Sequence, residues 1–389
     1  MTLFLHILFW LPVVLLFHSY LLFPLWLEYL HRRSGRKAHP AQAGFTLSVS
    51  VIIPAYNEES VIEKKIRSIY EGDYPHELLE VLVMSDASTD RTDSIVGRLT
   101  EEYPSLRFFR AAHRTGKPGI LNRLVPEARG DLLLLTDANV LLAPDTIPLL
   151  VAHFADPSLG LADTRLISQG REQGIALQEK TYTGREVRIK FLEGSLWGII
   201  MGPSGACYAL RKELYPPVPG NYLVDDFYIN MKVLEKGKKA ILVPEARVYE
   251  DVTLRFKEAF RRKVRIAAGN FQNLRTFLPL YRNIFRPAGF CFWSHKGIRW
   301  FGPWLILGNL TAALLLAPHS LLYLSFLGIH LLTFLLILLD NILGIFGKQI
   351  VILRFVTHFY SMNLALATGF IKALKGIKTN VWEPTERNP

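Results

Sequence analysis

The sequence predicts an α/β protein with a mostly parallel sheet, carrying apolar helices at both ends. Three observations carry that expectation. Short apolar runs alternate with helix-like stretches through the middle of the chain, the pattern of parallel strands and their crossovers. Two of those runs, Val81-Leu82-Val83-Met84 and Leu132-Leu133-Leu134-Leu135, lead into Asp86-Ala87 and Asp137-Ala138, and open α/β sheets bind ligands just beyond such carboxyl ends. Apolar stretches of membrane-spanning length lie near both termini.

Taken in order, residues 3–27 are almost wholly apolar, with Pro12 and Pro24 as bends. A run of roughly 25 residues spans about 30 Å of hydrocarbon. A cleaved signal peptide would need a basic start and a shorter core, and no Lys or Arg precedes the run. Residues 1–30 therefore read as a transmembrane helix. Arg32, Arg33, Arg36 and Lys37 follow it, which puts the N-terminus outside and residue 32 onward in the cytoplasm.

Residues 45–255 read as one domain, with strand-like runs at 49–53, 80–84, 131–135, 159–162 and 240–243. Helix-like stretches at 59–70, 91–102 and 144–153 lie between them, and 173–193 reads as a long helix of mixed charge. Residues 256–299 form a basic and interfacial region, because Trp293, Lys296, Arg299 and Trp300 suit the headgroup layer. Apolar stretches follow at 301–317, 319–345 and 350–371, with a tail over 372–389 carrying Lys372, Lys375 and Lys378. A cytoplasmic tail leaves room for only two full spans. The third stretch, with Arg354, His358 and Asn363, is the one expected to be interfacial or re-entrant.

The chain has 389 residues, of which 50% are hydrophobic, a net charge of +11 and a mean hydropathy of +0.20. Such a charge suits nucleic acid, anionic lipid or phosphorylated substrates. The middle of the chain has no long basic run or Arg/aromatic stripe, so nucleic acid is not an expected partner. Two cysteines, Cys207 and Cys291, make no disulfide framework.

Five segments carry candidate chemistry. Ile53-Pro54-Ala55-Tyr56-Asn57-Glu58 is a strand entering a turn and a helix; helix N–H groups can receive an anion there and Tyr56 can face a ring. An ordinary strand–helix turn capped by Asn57 or Glu58 has the same pattern. Asp86 can accept from a base or a ribose hydroxyl, or cap the helix beginning near Asp90. Lys117, in Arg114-Thr115-Gly116-Lys117, can neutralise a phosphate or sit on a solvated loop. Asp137 and Asn139 offer two oxygen ligands on one face, suited to Mg2+ or Mn2+, or a buried Asp that satisfies a turn. Asp225-Asp226 opens a helix-like stretch, where two acids also compensate the helix dipole.

On these residues the chain resembles the family 2 glycosyltransferases of the GT-A fold, and within them the membrane-embedded synthases of cellulose, hyaluronan and poly-N-acetylglucosamine. The resemblance covers 48–270 and implies a Rossmann-like GT-A domain. It implies donor contacts from Pro54, Ala55, Tyr56, Glu58, Asp86, Lys117 and Asp137, with a Gly116-Lys117…Asn122 segment between them. It implies a metal motif at Asp137-Ala138-Asn139, where Asn139 replaces the usual acid. Gly202-Pro203-Ser204-Gly205-Ala206 matches the acceptor loop, so Ser204, Gly205 and Asp225 are expected near the acceptor; an ordinary β-turn has the same residues. Asp226 matches the general base. Arg262 and Arg265 lie where the synthases carry Gln-x-x-Arg-Trp, and Ile266 replaces the Trp. The implied activity is inverting, Mg2+- or Mn2+-dependent transfer from a UDP-sugar to a saccharide or lipid-linked acceptor, at the plasma membrane, in cell-surface polysaccharide synthesis. Two alternatives stand beside it: a single addition to a polyprenyl phosphate or other lipid-linked acceptor, and a catalytically silent membrane scaffold.

Overall fold

A computed structural model describes residues 2–35, 39–169, 175–251, 256–348 and 350–381. Arg36 and Lys37, two of the four basic residues expected after the first apolar segment, lie outside the described residues, as does the start of the expected helix at 173. The chain divides into two units. One holds residues 30–170, 186–253 and 376–389; the other holds 1–29, 171–185 and 254–375.

Helices α1 (Thr2–Phe17) and α2 (Phe23–Ser34) are joined by a π-helical turn at His18–Leu22. The sheet unit then runs β1 (Val49–Ala55), α3 (Ile62–Tyr70), β2 (Leu79–Ser85), α4 (Thr92–Glu102), β3 (Leu106–Arg110), α5 (Gly116–Leu124), β4 (Leu132–Thr136), β5 (Val140–Leu142), α6 (Thr146–His153) and β6 (Leu159–Gln169). It continues through α7 (Ile175–Trp197), β7 (Cys207–Arg211), α8 (Asp225–Glu235) and β8 (Lys239–Asp251). The eight strands lie in the order β3-β2-β1-β4-β7-β6-β8-β5. β1 pairs in parallel with β2 and β4, β2 with β3, and β6 with β8. β7 runs antiparallel to β4 and β6, and β5 to β8.

Every residue of β1 and β4 is buried, which is why those strands read as unbroken apolar runs. Three strands lie outside the expected runs: β3 and β5, which are the two sheet edges, and β7, which is buried between β4 and β6. β3 interleaves Arg107 and Arg110 with apolar residues and lies at the sheet edge. β8 extends well past the expected 240–243, because the register shifts by a bulge opposite Thr164/Arg165 and so accommodates Pro244.

The second unit contains α9 (Phe256–Tyr281), α10 (Pro287–Cys291), α11 (Ile298–Trp300), α12 (Gly302–Leu316), α13 (Leu321–Ile345) and α14 (Val351–Leu374), besides α1. Among the described residues, two helical segments are long and apolar enough to cross a membrane, Thr2–Ser34 and Leu321–Ile345. A third span arises if Pro287–Trp300 and Gly302–His319, bent by 62°, are counted together. α14, with Arg354, His358 and Asn363, does not meet that test. Two polar contacts lie inside these apolar helices, where low dielectric favours pairing. Asn309 Nδ2 donates to the Phe9 carbonyl at 2.8 Å, and Arg354 faces Asp340 at 3.4 Å.

Candidate active site

Parallel β1, β2 and β4 deliver three turns to one sheet edge, at 56–61, 86–91 and 137–139. The first two are laced together. Asn57 N–H donates to Ser88 Oγ at 3.1 Å, Thr89 N–H to Asn57 Oδ1 at 2.9 Å, and Glu58 N–H to Thr92 Oγ1 at 2.8 Å. Asn57 (φ +54°) and Ala87 (φ +58°) both take the left-handed conformation, which suits Asn and costs Ala about 1–2 kcal/mol. Pro54 and Ala55 are buried in β1, and Glu58 is 8% exposed.

Asp86 is fully buried. Its carboxylate accepts from Arg114 Nε (3.0 Å), Thr115 N–H (2.7 Å), Thr115 Oγ1 (3.0 Å) and Gly116 N–H (3.0 Å). Of the two roles open to Asp86 in the sequence, the cap for the helix near Asp90 is not the one it makes. Asp90 caps that helix itself, accepting from Thr92 N–H at 3.0 Å, and Asp86 holds the turn that begins α5. Burial would raise the Asp90 pKa, but its hydrogen bonds outweigh burial and lower it. The Arg114 guanidinium lies 3.2 Å from the centre of the Tyr56 ring. Gly116 has φ +77°, a conformation that L side chains rarely adopt.

α5 aims Lys117 across the sheet edge. Its ammonium donates to Asp137 Oδ1 at 2.7 Å and to the Gly205 carbonyl at 3.4 Å, and lies 3.8 Å from Asp225 Oδ2. Burial disfavours that charge, but the carboxylates of Asp137 and Asp225 prevail and hold the Lys117 pKa above the ordinary lysine value. Asn122, one turn further on, binds the chain leading to α8. It donates to the Val218 carbonyl (2.7 Å) and accepts from Val218 N–H (2.8 Å) and Tyr215 Oη (2.9 Å).

Asp225 and Asp226 occupy the first turn of α8. Asp225 is 6% exposed, and its Oδ2 has no hydrogen-bond partner among the described residues. The Asp226 pKa is pushed up to about 7 by burial first and by the Asp225 charge second, against the pull of Lys117. A side chain at Gly205 would meet Asp226 Oδ2 at 2.7 Å, and Gly205 has φ +78°, so backbone and carboxylate approach closely only with glycine there. Ser204 is anchored from beneath: its N–H and its Oγ reach Asp163 Oδ1 at 3.0 and 3.1 Å. Lys190 Nζ donates to the other oxygen of Asp163 at 2.6 Å. Asp163 is fully buried and Lys190 nearly so. Asp163→Ala is therefore expected to cost about 3–5 kcal/mol by stranding a buried ammonium, read as a lower urea midpoint.

The 137–139 turn is held by Lys65 of α3, whose ammonium is fully buried. It donates to Thr136 Oγ1 at 2.8 Å and to the Val140 carbonyl. Burial lowers its pKa to about 8. The Asn139 Nδ2 donates to Glu250 Oε1 of β8 at 3.0 Å. A divalent ion at this edge would find the Asp137 carboxylate and the Asn139 carbonyl oxygen. Among the described residues no group of three or more His, Cys, Asp or Glu side chains is assembled for a metal. So sparse a protein shell fits Mg2+ or Mn2+, which take most of their oxygens from water and substrate phosphates.

One edge of the sheet unit thus brings together Tyr56, Lys117, Asp137, Asn139, Ser204, Gly205, Asp225 and Asp226. Arg262 and Arg265 belong to the other unit, on α9, where Arg262 is exposed and Arg265 half-buried. Sequence reasoning missed Lys65, Asp163, Lys190, Glu250 and Asn380. Lys65 left a signal, since it shares the helical face of Ile62, Ile66 and Ile69. Asn380, 3% exposed, donates to the Tyr222 carbonyl, and Asn221 Nδ2 donates to the Ile377 carbonyl at 3.1 Å. The C-terminal segment is thereby fastened to the loop before α8.

Comparison with known proteins adds family and relatives. Residues 50–216 match the family model described as Glycosyl transferase family 2. The chain is 35% identical over 119 residues to a beta-monoglucosyldiacylglycerol synthase of Synechocystis, covering 30% of this chain and 25% of that protein. It is 29% identical over 204 residues to a dolichol-phosphate mannosyltransferase of Pyrococcus furiosus, covering 51% of this chain and 56% of that one. The aligned residues thus span from a quarter to a little over half of these curated relatives. Among solved structures, a mannosyltransferase from Pyrobaculum calidifontis in complex with GDP-Man and Mn2+ is similar, with a TM-score of 0.68 and 25% identity. That likeness covers 93% of this chain and 97% of the other.

Proposed function

We infer, for a chain whose residues 50–216 form a family 2 glycosyltransferase domain on the GT-A fold, that it moves one sugar from a nucleotide-diphosphate sugar onto a lipid-linked acceptor at the cytoplasmic membrane face, with inversion. The observation that carries this reading is the convergence of Lys117, Asp137, Asp225 and Asp226 beside the glycine loop at 205. An ammonium and a metal-ligating carboxylate are what a departing diphosphate needs. A carboxylate with a pKa near neutrality is what an attacking hydroxyl needs.

In this reading, with a hydroxyl acceptor such as diacylglycerol, Asp226 accepts the hydroxyl proton as that oxygen attacks the anomeric carbon; an ionised phosphate acceptor attacks through its oxygen with no proton to transfer. The bond from that carbon to the diphosphate oxygen breaks on the opposite face. Lys117 stabilises the charge that develops on the leaving diphosphate, and Asp86 keeps Lys117 in place by fixing the turn before it. Tyr56 offers its ring to the nucleoside. Ser204 and Gly205 border the acceptor. Asp137 and Asn139 would hold Mg2+ or Mn2+, which neutralises diphosphate charge when bound.

A lipid-linked acceptor and a single addition are favoured over polymer synthesis by Ile266, which stands where the synthases use Trp. The relatives named for a glucosyldiacylglycerol and for dolichol phosphate support the same choice. The two apolar helical segments supply membrane attachment, and Arg32 and Arg33 support the cytoplasmic orientation.

The test uses the full chain in lipid vesicles, with Mn2+ and either UDP-sugars or GDP-Man. Acceptors are diacylglycerol or polyprenyl phosphate, and products are weighed by mass spectrometry. Nucleotide release that depends on lipid, with one sugar added per acceptor, is expected. A ladder of products would favour the polymer synthase, and an absence of turnover with every donor would favour the silent scaffold.

A further inference from the structure

The metal turn of this chain has a chemical deficit. Asp137-Ala138-Asn139 presents one carboxylate where the resembled motif has two, and an amide oxygen offers a cation less charge than a carboxylate does. The fold brings a second acid to that place from 111 residues away. β5 and β8 run antiparallel with Val140 opposite Glu250, so Asn139 and Glu250 meet at the end of the pairing. Asn139 Nδ2 donates to Glu250 Oε1 at 3.0 Å. An amide nitrogen has no lone pair for a cation, so a committed N–H leaves the carbonyl oxygen as the ligating atom. Behind it stands a carboxylate that accepts from the same amide, the arrangement by which outer groups orient a ligand and raise its basicity.

We propose that Glu250 is a positioning residue for the metal turn, orienting the Asn139 amide so that its carbonyl oxygen serves the cation and returning in space the negative charge that position 139 lacks. The proposal rests on the metal-dependent reading above and deepens it. The turn has supports on two sides: Lys65 binds the Thr136 hydroxyl and the Val140 carbonyl, bracketing residues 137–139, and Glu250 binds the Asn139 side chain. Neither partner lies within a recognisable sequence motif.

The test reads Mn2+ binding directly, by electron paramagnetic resonance of the free ion titrated with the full-length protein, with and without UDP. Glu250→Gln keeps the shape and a hydrogen-bond acceptor but removes the charge. It is expected to weaken Mn2+ binding about tenfold with an unchanged thermal midpoint. Moving the acid back, Glu250→Gln combined with Asn139→Asp, is expected to restore binding to within about threefold of wild type. Asn139→Ala, which deletes the ligand and leaves Glu250, is expected to weaken binding at least as much as Glu250→Gln. Wild-type affinity in Glu250→Gln, or no recovery in the double variant, would overturn the proposal while leaving metal dependence standing. Wild-type protein that binds no Mn2+, with UDP or without, would overturn the metal-dependent reading and this proposal with it.

Discussion

Asp226→Asn is expected to lower kcat by about 10²- to 10⁴-fold, the range for loss of a positioned general base, with a much smaller change in donor KM. The amide fills the same space beside Gly205 but cannot take the acceptor proton. Because the Asp226 pKa is raised to about 7 by burial and by Asp225, kcat/KM of the wild type should rise with pH through about 7 and level off above it. The same shift has a stability consequence of opposite sign. In the unfolded chain this carboxyl titrates near 3.8, so between about 4 and 7 the folded state binds more protons than the unfolded one. The contribution of Asp226 is therefore fully present below the unfolded value and is lost as pH rises through about 7. Asp226→Asn should melt higher than wild type at pH 8, and that advantage should shrink toward pH 4. A variant that keeps full turnover, or a flat pH profile between 6 and 8, would remove Asp226 from the role of base.

Lys117→Met is expected to cost about 10²- to 10³-fold in kcat/KM, the scale for losing one preorganised donor at a site of developing charge. The ammonium sits 2.7 Å from Asp137 and 3.8 Å from Asp225, and it opposes the upward shift of Asp226. Removing it leaves the carboxylates of Asp137, Asp225 and Asp226 at one edge without the ammonium that lies among them. The acid limb of the pH profile should therefore move to higher pH, which separates loss of this charge from simple loss of donor contact. Rates at pH 6 and pH 9 give the readout: the deficit should be larger at pH 6. An equal deficit at both values would mean that Lys117 acts on the donor alone.

Much of the sheet was legible in the sequence because its central strands are buried on both faces. β1, β2 and β4 have to be continuous apolar runs, and the turns after them have to carry the polar groups that the sheet edge presents. β3 and the far half of β8 were not legible, since an edge strand and a bulged strand carry polar residues on their outward positions. Asp86 illustrates the limit for a site residue. Its place after a strand is readable, but whether it caps the helix at 92 or the turn at 116 depends on which segment folds back over it. Four donors from 114–116 decide that.

The chain by itself determined the alternation of strands and helices and the apolar segments at both ends, which follow from local periodicity. Lys117, Asp137 and Asp226 were singled out by the resemblance of their motifs to those of a family, because in isolation a surface loop, a turn and a helix N-terminus carry the same residues. Tertiary structure alone decided the buried groups that set the geometry of the site. Lys65 beneath Thr136, Asp163 beneath Ser204 and Glu250 beside Asn139 join residues 71, 41 and 111 positions apart. A charge is retained in a protein interior only where a partner of opposite charge or a hydrogen-bonding group meets it, and which partner meets it is settled by strand order and register.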